Sequence, residues 1–183
     1  MKLTKIYKNY HFISEWFFYF CDMEKEVSTT VKVRFSDCDP IGHLNNVKYL
    51  DYMFNAREDH VETFYGFTYE EYTKKTGCTW IAIQNEIAYL KEVKYNTQVV
   101  ISSKTIEIGD RISKVEILMK SLDEKTIHAV LWVTVIYFNI KTRRSDVHPE
   151  EIMQTFGNFY VDLEQKDFQS RVKFLRSQNA KNS

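Results

Sequence analysis

Proline and glycine are scarce in this chain. Two prolines and five glycines among 183 residues exclude a collagen-like or a Pro/Gly-rich low-complexity polymer. Cysteine is scarce too. Cys21, Cys38 and Cys78 are odd in number, and their spacing fits neither a disulfide framework nor a paired-cysteine zinc site. They read as free thiols in a reducing, cytoplasmic setting. Neither sign of charge is in excess, since Lys+Arg and Asp+Glu are 25 each. A general nucleic-acid binder needs a basic face that displaces counterions, and the overall balance provides none. A local basic patch for a small phosphorylated ligand stays compatible with it. No apolar run is long enough to span a bilayer. Gly-rich phosphate loops, Gly-x-Ser-x-Gly elbows, internal repeats and low-complexity blocks are all missing.

What is present suffices for one domain. Hydrophobic residues make up 44% and aromatics 15%, ample for a packed core. Residues 1–22 stand apart. Lys2, Lys5 and Lys8 precede Trp16-Phe17-Phe18-Tyr19-Phe20-Cys21, the charge order of a signal peptide. The apolar run is short, however, Glu15 adjoins it, and no small-residue cleavage site follows. These residues read as an N-terminal extension, with Met23 the preferred native start. Residues 23–157 then form the domain, and 158–183 a polar C-terminal tail that frays at its end, or a helix docked by Leu163, Val172, Phe174 and Leu175.

Thr29–Ser36 sets Val31, Val33 and Phe35 against Thr30, Lys32 and Arg34, the period of a half-buried strand. Pro40 and Gly42 end it, and Asn45 or Asn46 caps a helix. Val47, Leu50, Phe54 and Val61 form that helix's apolar stripe, widened by Tyr49, Tyr52 and Met53. Asp59-His60 falls on its exposed side. Gly66 stops it, and Thr68 starts a short helix that ends by Gly77. The period then changes to two. Strands are predicted over Thr79–Leu90 (Ile81, Ile83, Ile87 and Tyr89 on one face), Gln98–Ile108, Arg111–Ser121 and Ile127–Ile140. The last is apolar on both faces and therefore central. Gly109-Asp110 is a hairpin turn, and Pro149 opens another short helix. One strand, a long helix and four turn-linked strands make an α+β domain, an antiparallel sheet wrapped around one helix.

The densest chemistry lies in Arg34–Tyr49, where two carboxylates, an imidazole and two amides flank a strand-to-helix turn. A helix start offers unpaired N–H groups and partial positive charge, which polarise a carbonyl and stabilise its oxyanion. Asp39, in the turn that leads there, could attack such a carbonyl or deprotonate a water. A thioester suits this site, because a thiolate leaves without a proton donor. A second reading stands beside it. Asp-Pro-x-Gly is a common turn, Asn45 and Asn46 serve as caps, and His43 is a solvated loop residue.

Phe35-Ser36-Asp37-Cys38-Asp39-Pro40-x-Gly42 resembles the hotdog-fold acyl-CoA thioesterases of the 4-hydroxybenzoyl-CoA thioesterase type. His43-Leu44-Asn45-Asn46-Val47-Lys48-Tyr49-Leu50 resembles the variant of that pattern shared with acyl-ACP thioesterases. Ile87-Ala88-Tyr89-Leu90-Lys91 and Ile108-Gly109-Asp110-Arg111-Ile112-Ser113 are similar to the family's second strand and its third-to-fourth hairpin. The likeness runs over residues 28–155. It implies the hotdog fold, dimers or tetramers with sites at subunit interfaces, and hydrolysis of an acyl-CoA thioester. It implies Asp39 as nucleophile or general base and the Asn46 backbone N–H as the carbonyl's partner. His43 and Asn45 would position substrate or water, and Asp37 would be structural, paired with Arg34. It implies no metal and no cofactor beyond the coenzyme A of the substrate. Tyr49, Lys91, Arg111 and Arg143 are candidate substrate contacts, the basic residues (with Arg144) from charge alone. The alternative is a non-catalytic hotdog module that binds acyl-thioesters or protein partners. A hotdog dehydratase ranks lower, since its acid would sit on the helix.

Overall fold

A computed structural model describes residues 25–182. The expectations for the extension and for a start at Met23 lie outside the described residues. The elements run β1 (Val27–Lys32), α1 (Asn46–His60, continued by a π-turn Val61–Tyr65), α2 (Tyr69–Thr76), β2 (Cys78–Tyr89), β3 (Gln98–Ile108), β4 (Ile112–Ser121), β5 (Ile127–Asn139), β6 (Arg144–Ser145), α3 (Glu150–Asn158) and α4 (Phe168–Asn182). Every strand pair is antiparallel, in the order β1-β3-β4-β5-β2, and β6 pairs with the end of β5. This is the sheet around a helix that the sequence predicts, with β5 interior.

Asn45 caps α1, its side-chain oxygen accepting from Val47 N–H at 3.3 Å. Gly66 ends the π-turn at φ 79°, a left-handed conformation that costs a glycine little. The face of α1 that packs on the sheet is Tyr49, Met53, Ala56, Arg57 and His60. It is rotated from the expected stripe, and Val47 is exposed. The reason is polar. Ser103 on the inner face of β3 accepts from Arg57 Nη1 (3.2 Å) and meets His60 Nδ1 (2.8 Å), so two polar residues belong inside. The expectation of an exposed Asp59-His60 holds for Asp59 and fails for His60.

β1 ends at Lys32, and Phe35–Asp37 form a 3-10 turn. The strand therefore starts two residues before and ends four residues before the predicted bounds, and Phe35 faces solvent. β2 also departs from expectation. Its pairing with β5 slips between Ala82 and Gln84, a bulge that makes Ile83 the extra residue and reverses the side-chain phase. Trp80 and Ala82 before it, and Ile87 after it, all reach the inner side. Ile81 and Ile83 stay exposed.

The inner core joins α1 to Val99, Ile101, Ile117, Met119, Leu131 and Val133. The outer face is covered as well. α4 lays Phe168, Val172 and Leu175 on Leu118, Val130 and Trp132. A helix, rather than a frayed tail, thus runs to Asn182. Beneath it Glu116, fully buried, accepts from Arg171 Nε (2.8 Å), Arg171 Nη2 (2.7 Å) and Trp132 Nε1 (2.9 Å). Lys104 bridges Glu116 (3.4 Å) to Glu26 (2.5 Å). Burial opposes the charge on Glu26, but Lys104 and Lys120 prevail and hold its carboxyl at about 2. No helix among the described residues is long and apolar enough to cross a membrane.

Arg171→Ala leaves Glu116 buried without its bidentate partner. It is expected to lower unfolding stability by about 3 kcal/mol, measured by urea titration. The double change Glu116→Gln with Arg171→Met keeps an acceptor for Trp132 and is expected to cost less than the single one. His60 generates a pH dependence. Burial, helped by Arg57, holds its ring at about 4 against an ordinary 6.5, so the fold prefers the neutral ring. Its contribution is complete above pH 6.5 and is lost as pH falls toward 4. The urea midpoint is expected to drop across that window, and to drop less in His60→Asn.

Candidate active site

The turn before α1 is a small closed hairpin. Asp39 N–H donates to His43 O (2.7 Å), Gly42 N–H donates to Asp39 O (3.0 Å), and Cys38 bridges Leu44. Gly42 sits at φ 83°, where a side chain would be strained. Asn45 N–H donates to Asp37 O (2.9 Å) and Tyr95 N–H to Gly42 O (3.0 Å). His43 bridges Lys94 in the β2–β3 loop. Tyr89, at the end of β2, donates its hydroxyl to Asn46 O at 2.9 Å. The turn is therefore braced by β2 and by the loop that follows it.

Within this frame the two carboxylates divide. Asp39 Oδ1 accepts from Ile41 N–H (3.0 Å) and His43 N–H (2.9 Å), and its Oδ2 has no partner among the described residues. Asp37 accepts from the Tyr52 hydroxyl (2.8 Å) and lies 3.9 Å from Lys48 Nζ. It is structural as expected, but its partners are Tyr52 and Lys48 rather than Arg34. Cys38 lies between them. Burial first, then the charges of Asp39 and Asp37, push its thiol above the ordinary range, which removes it as a thiolate nucleophile at neutral pH.

Asn46 opens α1, and its backbone N–H has no acceptor within the chain among the described residues. Asn45 is the cap. The His43 ring makes no hydrogen bond with the described residues. Asp39, His43, Asn45 and Asn46 therefore gather at one helix start. A carboxylate oxygen, a free ring and an unused N–H can there meet a carbonyl and a water.

The candidate substrate contacts do not gather in one chain. Tyr49 is buried in the inner core and accepts from Val93 N–H at 3.1 Å, so it packs instead of presenting a surface. Lys91 is exposed in the loop beside the turn. Arg111 donates to Ser145 O (2.7 Å) at the β3–β4 hairpin, and Arg143 precedes β6. That end of the sheet lies the length of β4 away, on the order of 30 Å at ~3.3 Å per residue. Charge alone could not say which end of a strand a basic residue occupies.

Two features went unread in the sequence. Tyr89 braces the helix start, and Arg57 lines an inner cavity of about 370 Å³ between α1, α2 and the sheet. The signal for Arg57 was its spacing, four residues after Met53 and eight after Tyr49 on the packed face. A separate groove of about 530 Å³, walled by Trp132, Tyr160 and Lys166, lies on the outer face, across the sheet from the turn.

The sequence pattern of the Thioesterase-like superfamily matches residues 33–156. No curated protein sequence matches the chain. Among solved structures, the chain is similar to YbaW, a probable thioesterase from Escherichia coli, at TM-score 0.64 and 19% identity over 72% of this chain and 97% of that one. It is similar to the hypothetical protein SAV2348 from Staphylococcus aureus in complex with CoA, at TM-score 0.68 and 16% identity over 78% and 89%. It is also similar to the 12:0-ACP thioesterase from Umbellularia californica, at TM-score 0.68 and 16% identity over 80% and 60%. The sheet curled around α1 is the hotdog fold, and the chain belongs to the Thioesterase-like superfamily.

Proposed function

We propose that this protein hydrolyses acyl-CoA thioesters to the free acid and coenzyme A, with Asp39 as general base or nucleophile. The observation that carries this reading is the asymmetry of the Asp39 carboxylate: Oδ1 is clamped by two backbone N–H groups, and Oδ2 has no partner among the described residues. Membership of the superfamily supports thioester hydrolysis as the reaction class. The coenzyme A bound to the Staphylococcus aureus relative is consistent with CoA as the carrier. A cytoplasmic setting agrees with free thiols at Cys38 and Cys78.

As general base, Asp39 Oδ2 takes a proton from water while the oxygen attacks the thioester carbon. As nucleophile, it forms an acyl-aspartate anhydride that water then splits. In both routes the carbonyl oxygen gains charge opposite the Asn46 N–H. The C–S bond breaks, and the thiolate takes up a proton. His43 and Asn45 orient water or substrate, and Lys91 meets coenzyme A phosphates.

Self-association would complete the site. Among the described residues β2 is an edge strand, paired with β5 alone, and it exposes Ile81 and Ile83 near its midpoint. An apolar open edge is a template for pairing with another strand. Two copies joined antiparallel through β2 about a twofold axis bring the Cys78 end of one next to the Tyr89 end of the other. Arg144 pairs with Asn139, which pairs with Cys78, so a second copy would bring Arg144 and the adjacent Arg143 toward the turn.

Asp39→Asn keeps an acceptor for both backbone N–H groups and removes the charge. Thiol release from a panel of acyl-CoAs is expected to fall about 10²- to 10⁴-fold with the fold intact. An unchanged rate would remove Asp39 from the mechanism. An acyl-CoA that stays bound and intact through long incubation with the unmodified protein would make it a binding module. Ile83→Lys is expected to yield a monomer by sedimentation, with reduced thiol release.

A further inference from the structure

The inner cavity holds a charge that no carboxylate among the described residues pairs with. Its walls are largely apolar, with Phe54, Val61, Val115, Val133 and Phe156 among them. At about 370 Å³ it falls within the usual ~300–1,000 Å³ of small-molecule sites. Two groups interrupt the apolar lining. Arg57, 8% exposed, gives its hydrogen bonds to neutral hydroxyls. Its Nη1 donates to Tyr65 Oη (2.9 Å) and Ser103 Oγ (3.2 Å), and Tyr69 also pairs with it. The guanidinium lies 4.5 Å from the centre of the Tyr65 ring. No carboxylate among the described residues forms an ion pair with Arg57. Ser113, 1% exposed, lines the same cavity, and its Oγ has no partner among the described residues.

The chain handles its other buried arginine differently. Arg171 on the outer face receives both oxygens of Glu116. A buried guanidinium without such a partner is costly, and so is a buried hydroxyl without one. A carboxylate answers the guanidinium, accepting from its planar fork. The apolar walls provide for hydrocarbon attached to it.

We infer that the cavity binds a carboxylate carried on an aliphatic body, with the carboxylate on Arg57 and the chain along Phe54 and Val133. Arg57 stands about 16 Å from Asn46 along α1, at ~1.5 Å per residue, so this carboxylate is not the one released at the turn. It belongs either to a free aliphatic acid or to the far end of a substrate's acyl chain. Only the second source rests on the thioesterase reading.

The binding arm of the test uses Asp39→Asn protein, so hydrolysis plays no part in it. Octanoate and uncharged octanol are titrated calorimetrically. Octanoate is expected to bind about tenfold or more tightly than octanol. Arg57→Met is expected to erase that preference while octanol affinity stays within about twofold, and Arg57→Lys to retain part of it. Should Arg57→Met not fold, Ser113→Val, which places methyl groups in the cavity, is expected to weaken both ligands. Equal affinity for the two ligands, or octanoate binding indifferent to both Arg57→Met and Ser113→Val, overturns the inference. The second arm compares KM for suberyl-CoA, which ends in a carboxylate, with KM for octanoyl-CoA. A lower KM for suberyl-CoA that Arg57→Met abolishes assigns the carboxylate to the substrate. Equal KM values with octanoate binding retained assign it to a free acid. Octanoate binding without hydrolysis of either thioester supports the cavity and refutes the thioesterase reading alone.

Discussion

β5 cannot face water on either side. Ala129, Leu131 and Val133 point to one face and Val130 and Trp132 to the other, and all five are buried. A strand of that kind demands cover on both sides of its sheet. α1 supplies the inner cover and α4 the outer. The remaining features follow from how each cover is fastened. On the outside, charge does part of the fastening: Glu116 holds Arg171 of α4, and Lys104 extends the network to Glu26. On the inside, the strand-to-helix turn sets where α1 begins and therefore which of its residues meet the sheet.

Much of this frame was legible because it obeys local rules. Asn45 accepts from the N–H two residues on, Thr68 caps α2, and Gly66 and Gly77 take left-handed φ at helix ends. Such features depend on a few neighbouring residues and can be read directly. The illegible parts depend on partners far along the chain. His60 is inside because Ser103 is there to meet it, and Arg171 is inside because Glu116 is. In the sequence both look like ordinary surface residues. The bulge at Ile83 escapes for another reason. Period-two reading assumes an unbroken pleat, and one extra residue reverses every face that follows.

The candidate site shows the same division. Asp39 could be separated from Asp37 by its place nearer the helix, although both lie beyond the end of β1 rather than on either side of it. Asp37 is consumed by Tyr52 and Lys48, while Asp39 keeps one oxygen free. Lys91, Arg111 and Arg143 could not be sorted in the same way. Their grouping depends on which end of the sheet each occupies, and a one-dimensional charge pattern contains no such information.

The contrast between the two covers bears on function. A chain selected for stability alone has no reason to leave Arg57 without a carboxylate among the described residues when it supplies one to Arg171. That guanidinium lies on the inner side of the sheet, on the helix that follows the candidate turn. The outer network is closed, with each charge matched by another. Among the described residues the inner one is open, with the Arg57 guanidinium lacking a carboxylate and Ser113 Oγ and His60 Nε2 lacking hydrogen-bond partners. Stability is therefore concentrated where α4 locks the outer face, and unsatisfied chemistry is concentrated around α1. The same helix offers an unused N–H at its start and a guanidinium farther along its buried face. A ligand with one polar group for each end and hydrocarbon between them would match both.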